Sequence, residues 1–266
     1  MKKITSSQNP LVREAKALKN RKYRDEKGLF LIEGEKLLKE AVQEKAEIIK
    51  VFLSEEYIKE KSYDLFSSEL LKHDTIILSD RLFKEISDTE TPQGIIAVVK
   101  QSKHTLSDIM ANNRNIIILE EIQDPGNMGT IIRTADAAGF SGVITTKGCV
   151  DVYSPKVIRS TMGSIFRIPV CTGAGISEII SRLKAEGIKV YASHLEGKAS
   201  LYDIDLRSDM AIIIGNESRG LSKEASASAD ALVQIPMLGG AESLNASVAA
   251  AILMYECVRQ RLTKDT

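Results

Sequence analysis

The chain is short of most features that mark a secreted, membrane-spanning or metal-bound protein. Its three cysteines, Cys149, Cys171 and Cys257, are odd in number and far apart, which excludes a disulfide framework and a metal knuckle. The three histidines, His73, His104 and His194, are equally scattered, so no metal site is expected. No apolar run approaches the roughly 20 residues that cross a bilayer, and the opening MKKITSSQNP has no apolar stretch after its basic residues. A cytoplasmic protein is expected. Net charge is also lacking, with 36 basic and 36 acidic side chains, which by itself argues neither for nor against a nucleic-acid partner.

Several catalytic signatures are missing too. No GxGxxG follows the first strand of the second half and no GxxxxGK[ST] occurs, which removes support for the two commonest phosphate-cradling loops. There is no GxSxG, and no Cys or His is spaced as a nucleophile and base. Dinucleotide-binding and simple hydrolase classes lose support accordingly.

At 266 residues, 43% hydrophobic and 27% charged, the chain is long enough for two domains with a sizeable core. Its charge is unevenly spread: residues 1–27 hold nine Lys or Arg against three acids. Asn9 to Asn20 reads as a helix with Pro10 in its first turn. Lys16, Lys19, Arg21, Lys22, Arg24 and Lys27 lie on or just after it, in a pattern that neutralises RNA or DNA phosphates when aimed at them and otherwise forms a solvated face.

Leu29 to Ile32, Ile48 to Leu53, Thr75 to Leu78 and Ile95 to Val99 read as strands with amphipathic helical stretches between them, a small α/β unit. The polar stretch KQSKHTLSDIMANNRN reads as a linker or connecting helix, and the expected domains are 1–104 and 105–266. In the second, apolar runs at Ile116 to Leu119, Gly142 to Thr145, Lys189 to Ala192, Ala211 to Ile214 and Leu232 to Ile235 alternate with helical segments. Such alternation implies crossovers and a three-layer α/β/α, mostly parallel sheet. A final helix from about Leu244 to Leu262 is apolar nearly all round, which fits burial or a subunit interface.

Three motifs sit where strands of this second domain end: DPGNMGTIIRTADAAGF (124–140), IIIGNESRGLS (212–222) and IPMLGGAESLNASVAAAILMYE (235–256). Ligands of open α/β sheets bind at the carboxyl ends of the strands, so three Gly- and Asn-rich loops there point to one site. Asn127 is expected just before a helix whose outer side carries Arg133, a guanidinium able to hold a phosphate or a developing negative charge. Gly215 frees the backbone beside Asn216 and Glu217. Ser243 and Asn245 flank Leu244, where either is suited to cap the final helix.

Taken in order, these segments resemble the three motifs of the SpoU (TrmH-like) family of RNA ribose 2'-O-methyltransferases, in the SPOUT superfamily. DVYSPKVIRSTMGSIFRIPV (151–170) resembles the family's PK..R.S.G segment, with Thr161 where serine is more usual. GLFLIEGEKLLKEA (28–41) and TPQGIIAVV (91–99) resemble a ribosomal-protein-like substrate-binding domain. The resemblance implies S-adenosylmethionine as cofactor, a carboxy-terminal trefoil knot and a homodimer. It implies cofactor contacts at Gly215, Ile235 and Leu244, with Asn216 and Met237 beside them. It further implies Arg133 as the principal catalytic residue, with Asn127, Glu217, Ser243 and Asn245 shaping the site; RNA contacts are expected from Lys16, Lys19, Arg21, Lys22 and Arg24 on the charge of the basic arm. A guanidinium titrates above about 12, so Arg133 is expected as a phosphate and alkoxide clamp rather than a base; Glu217 is open between base and orienter. The expected reaction is 2'-O-methylation of ribosomal RNA. Transfer RNA is the alternative target, and a non-catalytic RNA-binding or ribosome-assembly protein the alternative class.

Overall fold

The computed structural model describes residues 2–60, 73–111 and 114–263. Contacts divide it into two compact units, one formed by residues up to Gln101 together with Asp151–Phe166, the other by Ser102–Val150 together with the chain from Arg167 onward. A single cut near residue 105 places 151–166 with the second unit; by its contacts that stretch groups with the first.

In the first unit, β1 (Lys2–Ile4), α1 (Pro10–Ala17), α2 (Arg21–Lys27), β2 (Leu29–Glu33), α3 (Glu35–Gln43), β3 (Ile48–Ser54), α4 (Glu55–Glu60), β4 (Thr75–Leu78), α5 (Asp80–Ile86) and β5 (Ile95–Lys100) follow in order. The strands form a sheet in the order β1-β4-β3-β5-β2. β1, β4 and β3 run parallel, and β5 is antiparallel to β3 and to β2. Part of the helical stretch expected between β3 and β4 lies outside the described residues. Val12, Ala15 and Leu18 close over Phe52, Ile76, Leu78, Phe83 and Ile96 in one core.

The amino-terminal helix differs from the sequence expectation. Asn9 caps α1, its side chain accepting from the Leu11 N–H at 3.0 Å, but Asn20 does not simply end the helix. Its side chain accepts from the Lys22 N–H at 2.9 Å and starts α2, which stops at Gly28 with φ +63°. An asparagine that reads as a terminus serves equally as a start, because its short amide satisfies the free N–H groups of a first turn.

The second unit continues with α6 (Leu106–Met110), β6 (Asn115–Leu119), α7 (Pro125–Ala137) and β7 (Gly142–Thr146); α8 (Pro155–Thr161), which groups with the first unit, comes next. β8 (Val170–Ala174), α9 (Ile176–Ala185), β9 (Lys189–Ser193), β10 (Ala199–Ser200), β11 (Met210–Ile214), α10 (Lys223–Ser228), β12 (Ala231–Gln234) and α11 (Ala246–Leu262) complete it. The sheet runs β10-β12-β9-β11-β6-β7-β8 and every described pairing in it is parallel.

β6, β7 and β11 are buried along their whole length, as the apolar runs of β6 and β11 require when helices cover both faces; β7 buries Thr145 and Thr146 beside its Val143 and Ile144. Ile116, Ile118, Ile144, Val190 and Ile213 pack with Leu106, Ile109, Ile179, Ile180 and Leu183 from α6 and α9. Alternate residues of a strand face opposite ways, so Ile117, Leu119 and Ile212 turn to the other face, where α7 and α11 pack against each other. Each fully buried Ile or Leu adds about 1.5–3 kcal/mol.

Asp151 and α8 show why 151–166 belongs with the first unit. The Arg24 guanidinium, 3% exposed, donates from Nε to Asp151 Oδ2 at 2.9 Å and from Nη1 to the carbonyls of Leu18 and Lys19 at 2.7 and 2.8 Å. The Phe30 ring packs in tilted contact with Tyr153 and Phe166, at centroid distances of 4.8 and 6.3 Å. Arg159 pairs with Asp88 at 2.9 Å.

Candidate active site

β12, β9, β11 and β6 are neighbours, so the turns after them share one end of the sheet. Strand order alone therefore brings the three motif loops together. A cavity of about 350 Å³ opens there, walled by Ser193 to Leu195 after β9, Ile214 to Leu221 after β11, and Ile235, Met237, Ser243, Leu244, Ala246 and Ala249 around β12 and α11. Its volume falls in the range of small-molecule sites, about 300–1,000 Å³.

The loop after β11 is tightly built. Asn216 and Gly220 exchange backbone hydrogen bonds at 3.0 and 2.9 Å, and the Asn216 side chain accepts from the N–H groups of Ser218 and Arg219, both at 3.0 Å. Because the chain folds back so closely, a Cβ on Gly215 would stand 2.5 Å from the Gly220 carbonyl carbon. Only glycine allows that approach. The helix beyond is capped by Ser222, whose side chain accepts from Ala225 N–H at 3.0 Å, while buried Glu120 accepts from the Ser222 N–H at 2.9 Å.

The Glu217 carboxylate reaches across to the first loop and accepts from the Gln123 N–H at 3.1 Å, the Asp124 N–H at 3.0 Å and the Asn127 side-chain amide at 3.1 Å. Burial pushes its carboxyl up, but the N–H of Asp124, the amide of Asn127 and further backbone N–H groups outweigh that and hold it below the usual 4.5. A carboxylate so occupied is a poor proton acceptor and a good strut.

Asn127 completes the tie. It lies in the first turn of α7 rather than before the helix, because Asp124 is the cap and accepts from the Asn127 N–H at 2.8 Å. The Asn127 amide donates to Glu217, and its oxygen accepts from Asn245 Nδ2 at 2.9 Å. Asn245 in turn caps α11, accepting from the Ser247 and Val248 N–H groups at 2.9 and 3.3 Å. One hydrogen-bonded line, Glu217 to Asn127 to Asn245, thus joins loops separated by 90 and 118 positions.

The first loop carries one strained residue. Glu121 has φ +53°, which costs a residue with a Cβ on the order of 1 kcal/mol. Three bonds hold it there. Its N–H donates to Thr146 Oγ1 at 3.1 Å, and its carbonyl accepts from the side-chain amides of Asn216 and Gln123 at 2.8 and 3.1 Å.

Of the residues expected at the site, Gly215, Asn216, Glu217, Ile235, Met237, Ser243 and Leu244 all wall the cavity. Asn127 and Asn245 are tied to them. Arg133 is six residues after Asn127 on α7, about 9 Å along the helix axis; it is exposed, lies outside the cavity wall and makes no hydrogen bond or ion pair among the described residues. Sequence reasoning missed Ser193 to Leu195 and Arg219. The first three follow the carboxyl end of β9, and the rule that ligands sit there was sufficient to flag them.

The basic arm needs correction. Arg24 is buried against Asp151 and two carbonyls, 3% exposed, and is not presented to a phosphate. Lys19 is half-buried, its ammonium donating to the carbonyls of Glu85, at 3.0 Å, and Ser87, at the end of α5. Lys16, Arg21 and Lys22 are exposed, the first paired with Glu85 at 3.4 Å and the second with Asp25 at 3.7 Å.

A parallel sheet with Gly-rich loops gathered around a cavity at its carboxyl edge defines a ligand-binding α/β protein. Residues 114–255 match the SpoU rRNA Methylase family, and residues 9–97 match the MRM3-like substrate binding domain. The chain belongs to the SpoU rRNA methylase family. It is 38% identical to the 23S rRNA (guanosine(2553)-2'-O)-methyltransferase RlmP of Bacillus subtilis, over 96% of this chain and 98% of that one. Its fold matches an AdoMet-bound rRNA methyltransferase from Sinorhizobium meliloti with a TM-score of 0.86 and 33% identity, covering 97% of each chain. It also matches the SpoU methyltransferase AviRb from Streptomyces viridochromogenes in complex with AdoMet, with a TM-score of 0.87 and 30% identity, over 96% of this chain and 99% of that one.

Proposed function

We propose that this chain methylates a ribose 2'-hydroxyl of RNA, with ribosomal RNA as the target class and S-adenosylmethionine as the methyl donor. The observation that carries the reading is the Glu217, Asn127, Asn245 line, which ties the first loop to the loops after β11 and β12 that wall a single small-molecule cavity. Relatives named as rRNA 2'-O-methyltransferases over nearly their whole length support the choice of RNA.

The cavity's residues fit the cofactor. Ile214, Ile235, Met237 and Leu244 give an apolar wall, while Gly215 leaves backbone groups bare for hydrogen bonds. S-adenosylmethionine, when bound, supplies a methyl group already activated on a sulfonium, so the protein's own part is alignment and charge stabilisation. Glu217 and Asn127 orient the loops rather than move the proton, since all of Glu217's described contacts are donors to its carboxylate. Arg133, exposed and unpaired among the described residues, is free to clamp an RNA phosphate and stabilise the emerging alkoxide. Ser243 shapes the opening.

The chain works as a homodimer in this reading. Val248, Tyr255 and Leu262 recur every seven residues on α11 and are 46%, 51% and 79% exposed, an apolar stripe suited to a second copy. We also read the carboxy-terminal chain as knotted, supported by β11 lying between β6 and β9 while α11 returns onto α7. RNA affinity is assigned to the first unit, with Lys16, Arg21 and Lys22 as the arm's phosphate contacts.

Purified protein incubated with methyl-labelled S-adenosylmethionine and deproteinised ribosomal RNA should yield one new 2'-O-methyl position, matching a position lost in a deletion strain. Arg133→Ala should abolish it, and Arg133→Lys should recover little, since lysine keeps the charge but loses the fork. Absence of S-adenosylmethionine binding by calorimetry, with ATP or NAD bound instead, would overturn the reading.

A further inference from the structure

Among the described cavity residues, Arg219 is the sole Lys or Arg. Its side chain is 72% exposed, and one guanidinium nitrogen, Nη2, is held by the Glu121 carboxylate. The other guanidinium N–H groups have no partner among the described residues. An arginine that is fixed at one corner and open at the rest presents its planar fork outward at little further entropic cost.

The anchor is itself held against its backbone preference. Glu121 stays in the left-handed region because Thr146, Asn216 and Gln123 bond its backbone. Strain of this kind persists where the surroundings over-determine it, and it collects at functional sites. Here its effect is to carry the Glu121 carboxylate to the Arg219 guanidinium. Asn216, which bonds the Glu121 carbonyl through its amide, also accepts from the Arg219 N–H, so one side chain sets the backbone of both partners.

We propose that Arg219 is an RNA-contacting residue of this enzyme, binding a phosphodiester next to the target ribose, with Glu121 as its positioning residue. The proposal rests on the RNA methyltransferase reading above. Arg219 is an exposed cation on the cavity wall, and the polyanionic substrate offers it many phosphates against the cofactor's single carboxylate. Charge at this rim therefore serves substrate placement, a role distinct from that of Arg133 on α7.

The test is filter binding of deproteinised ribosomal RNA across a salt series, alongside calorimetry with S-adenosylmethionine. Arg219→Ala should weaken RNA binding about tenfold or more and lower the slope of log affinity against log salt by about 0.7–0.9, the loss of one phosphate contact. Cofactor affinity should stay at the wild-type value, which also reports an intact fold. Arg219→Lys should restore the slope and part of the affinity. Glu121→Gln keeps the backbone bonds and removes the anchoring charge; it should raise KM for RNA with kcat little changed. An unchanged slope with weakened cofactor binding would overturn the proposal and assign Arg219 to the cofactor's carboxylate. No change in either returns it to solvated surface. A wild-type protein that binds no RNA defeats the functional reading itself and is separated from these outcomes by that control.

Discussion

Replacing Asn127 with alanine removes the side chain that donates to Glu217 and accepts from Asn245. A hydrogen bond to a charged group is worth about 1.5–3 kcal/mol and a neutral one about 0.5–1.5. Both sites are partly open to water, so the sum is discounted to about 2–3 kcal/mol. In a chain of this length that lowers the melting temperature by roughly 5–10 °C, and affinity for S-adenosylmethionine should fall along with it because the cavity walls lose their tie. Asn127→Asp separates the two bonds. It keeps an acceptor for Asn245 but sets a second carboxylate against Glu217, so at neutral pH it should be at least as damaging as alanine. The pH dependence then has opposite signs in the two proteins. Glu217 is held below 4.5 in the folded wild type, so its contribution is present above that value and is lost as pH falls through the lowered one. In the Asp variant, acidification removes a repulsion, and its deficit relative to wild type should narrow towards about pH 4. Denaturant melts at both pH values and calorimetry with the cofactor measure all of this. An alanine variant within about 0.5 kcal/mol of wild type with unaltered cofactor affinity would refute the reasoning, since the three loops would then be held by something else.

Gly215→Ala places a Cβ 2.5 Å from the Gly220 carbonyl carbon, and the overpacking of about 1–3 kcal/mol should appear as at least a tenfold loss of cofactor affinity in the same calorimetry. Arg24→Ala leaves Asp151 and two carbonyls without their donor and should cost about 3–5 kcal/mol in denaturant melts, whereas Arg24→Met with Asp151→Leu should recover part of it, the unpaired charge being gone while the Leu18 and Lys19 carbonyls still lose the Arg24 donor. Burial pushes the thiol of Cys257 up to about 12 and raises those of Cys149 and Cys171. An aromatic disulfide reagent near pH 8 should therefore titrate almost no thiol in native protein and all three free cysteines in denaturant.

The inner strands were legible because burial on both faces leaves an unbroken apolar run, as in IIIL before the first motif and IIIG at the second. The edge strands β1, β8 and β10 were not, unlike β2, an edge strand whose apolar run was read. β1 is three residues with two lysines, β10 is two residues, and β8 has Thr172 and Gly173 exposed, so none presents a run to detect. The loops were legible for a related reason, since Gly and Asn stand out where an apolar run stops. Arg24 reads as one more cation in a basic stretch because its partner, Asp151, is 127 residues away; burial of a charge is decided by such distant pairing, which periodicity does not register. Likewise the role of Glu217 as a strut depends on three donors from another loop. The position of Arg133 on the outer side of α7 followed directly from helical spacing, but its standing outside the cavity wall did not.

The stretch Asp151–Phe166 is encoded between two strands of the second unit yet supplies the first with Asp151, Tyr153 and Phe166. The two halves are interleaved along the gene, so neither can be excised with one cut. A fragment ending at Gln101 would carry Arg24 with no counter-ion and Phe30 with no ring against it, and should be insoluble unless residues 151–166 are spliced back on. Recombination that exchanges the substrate-recognition half of this chain must therefore move two separate pieces of coding sequence together.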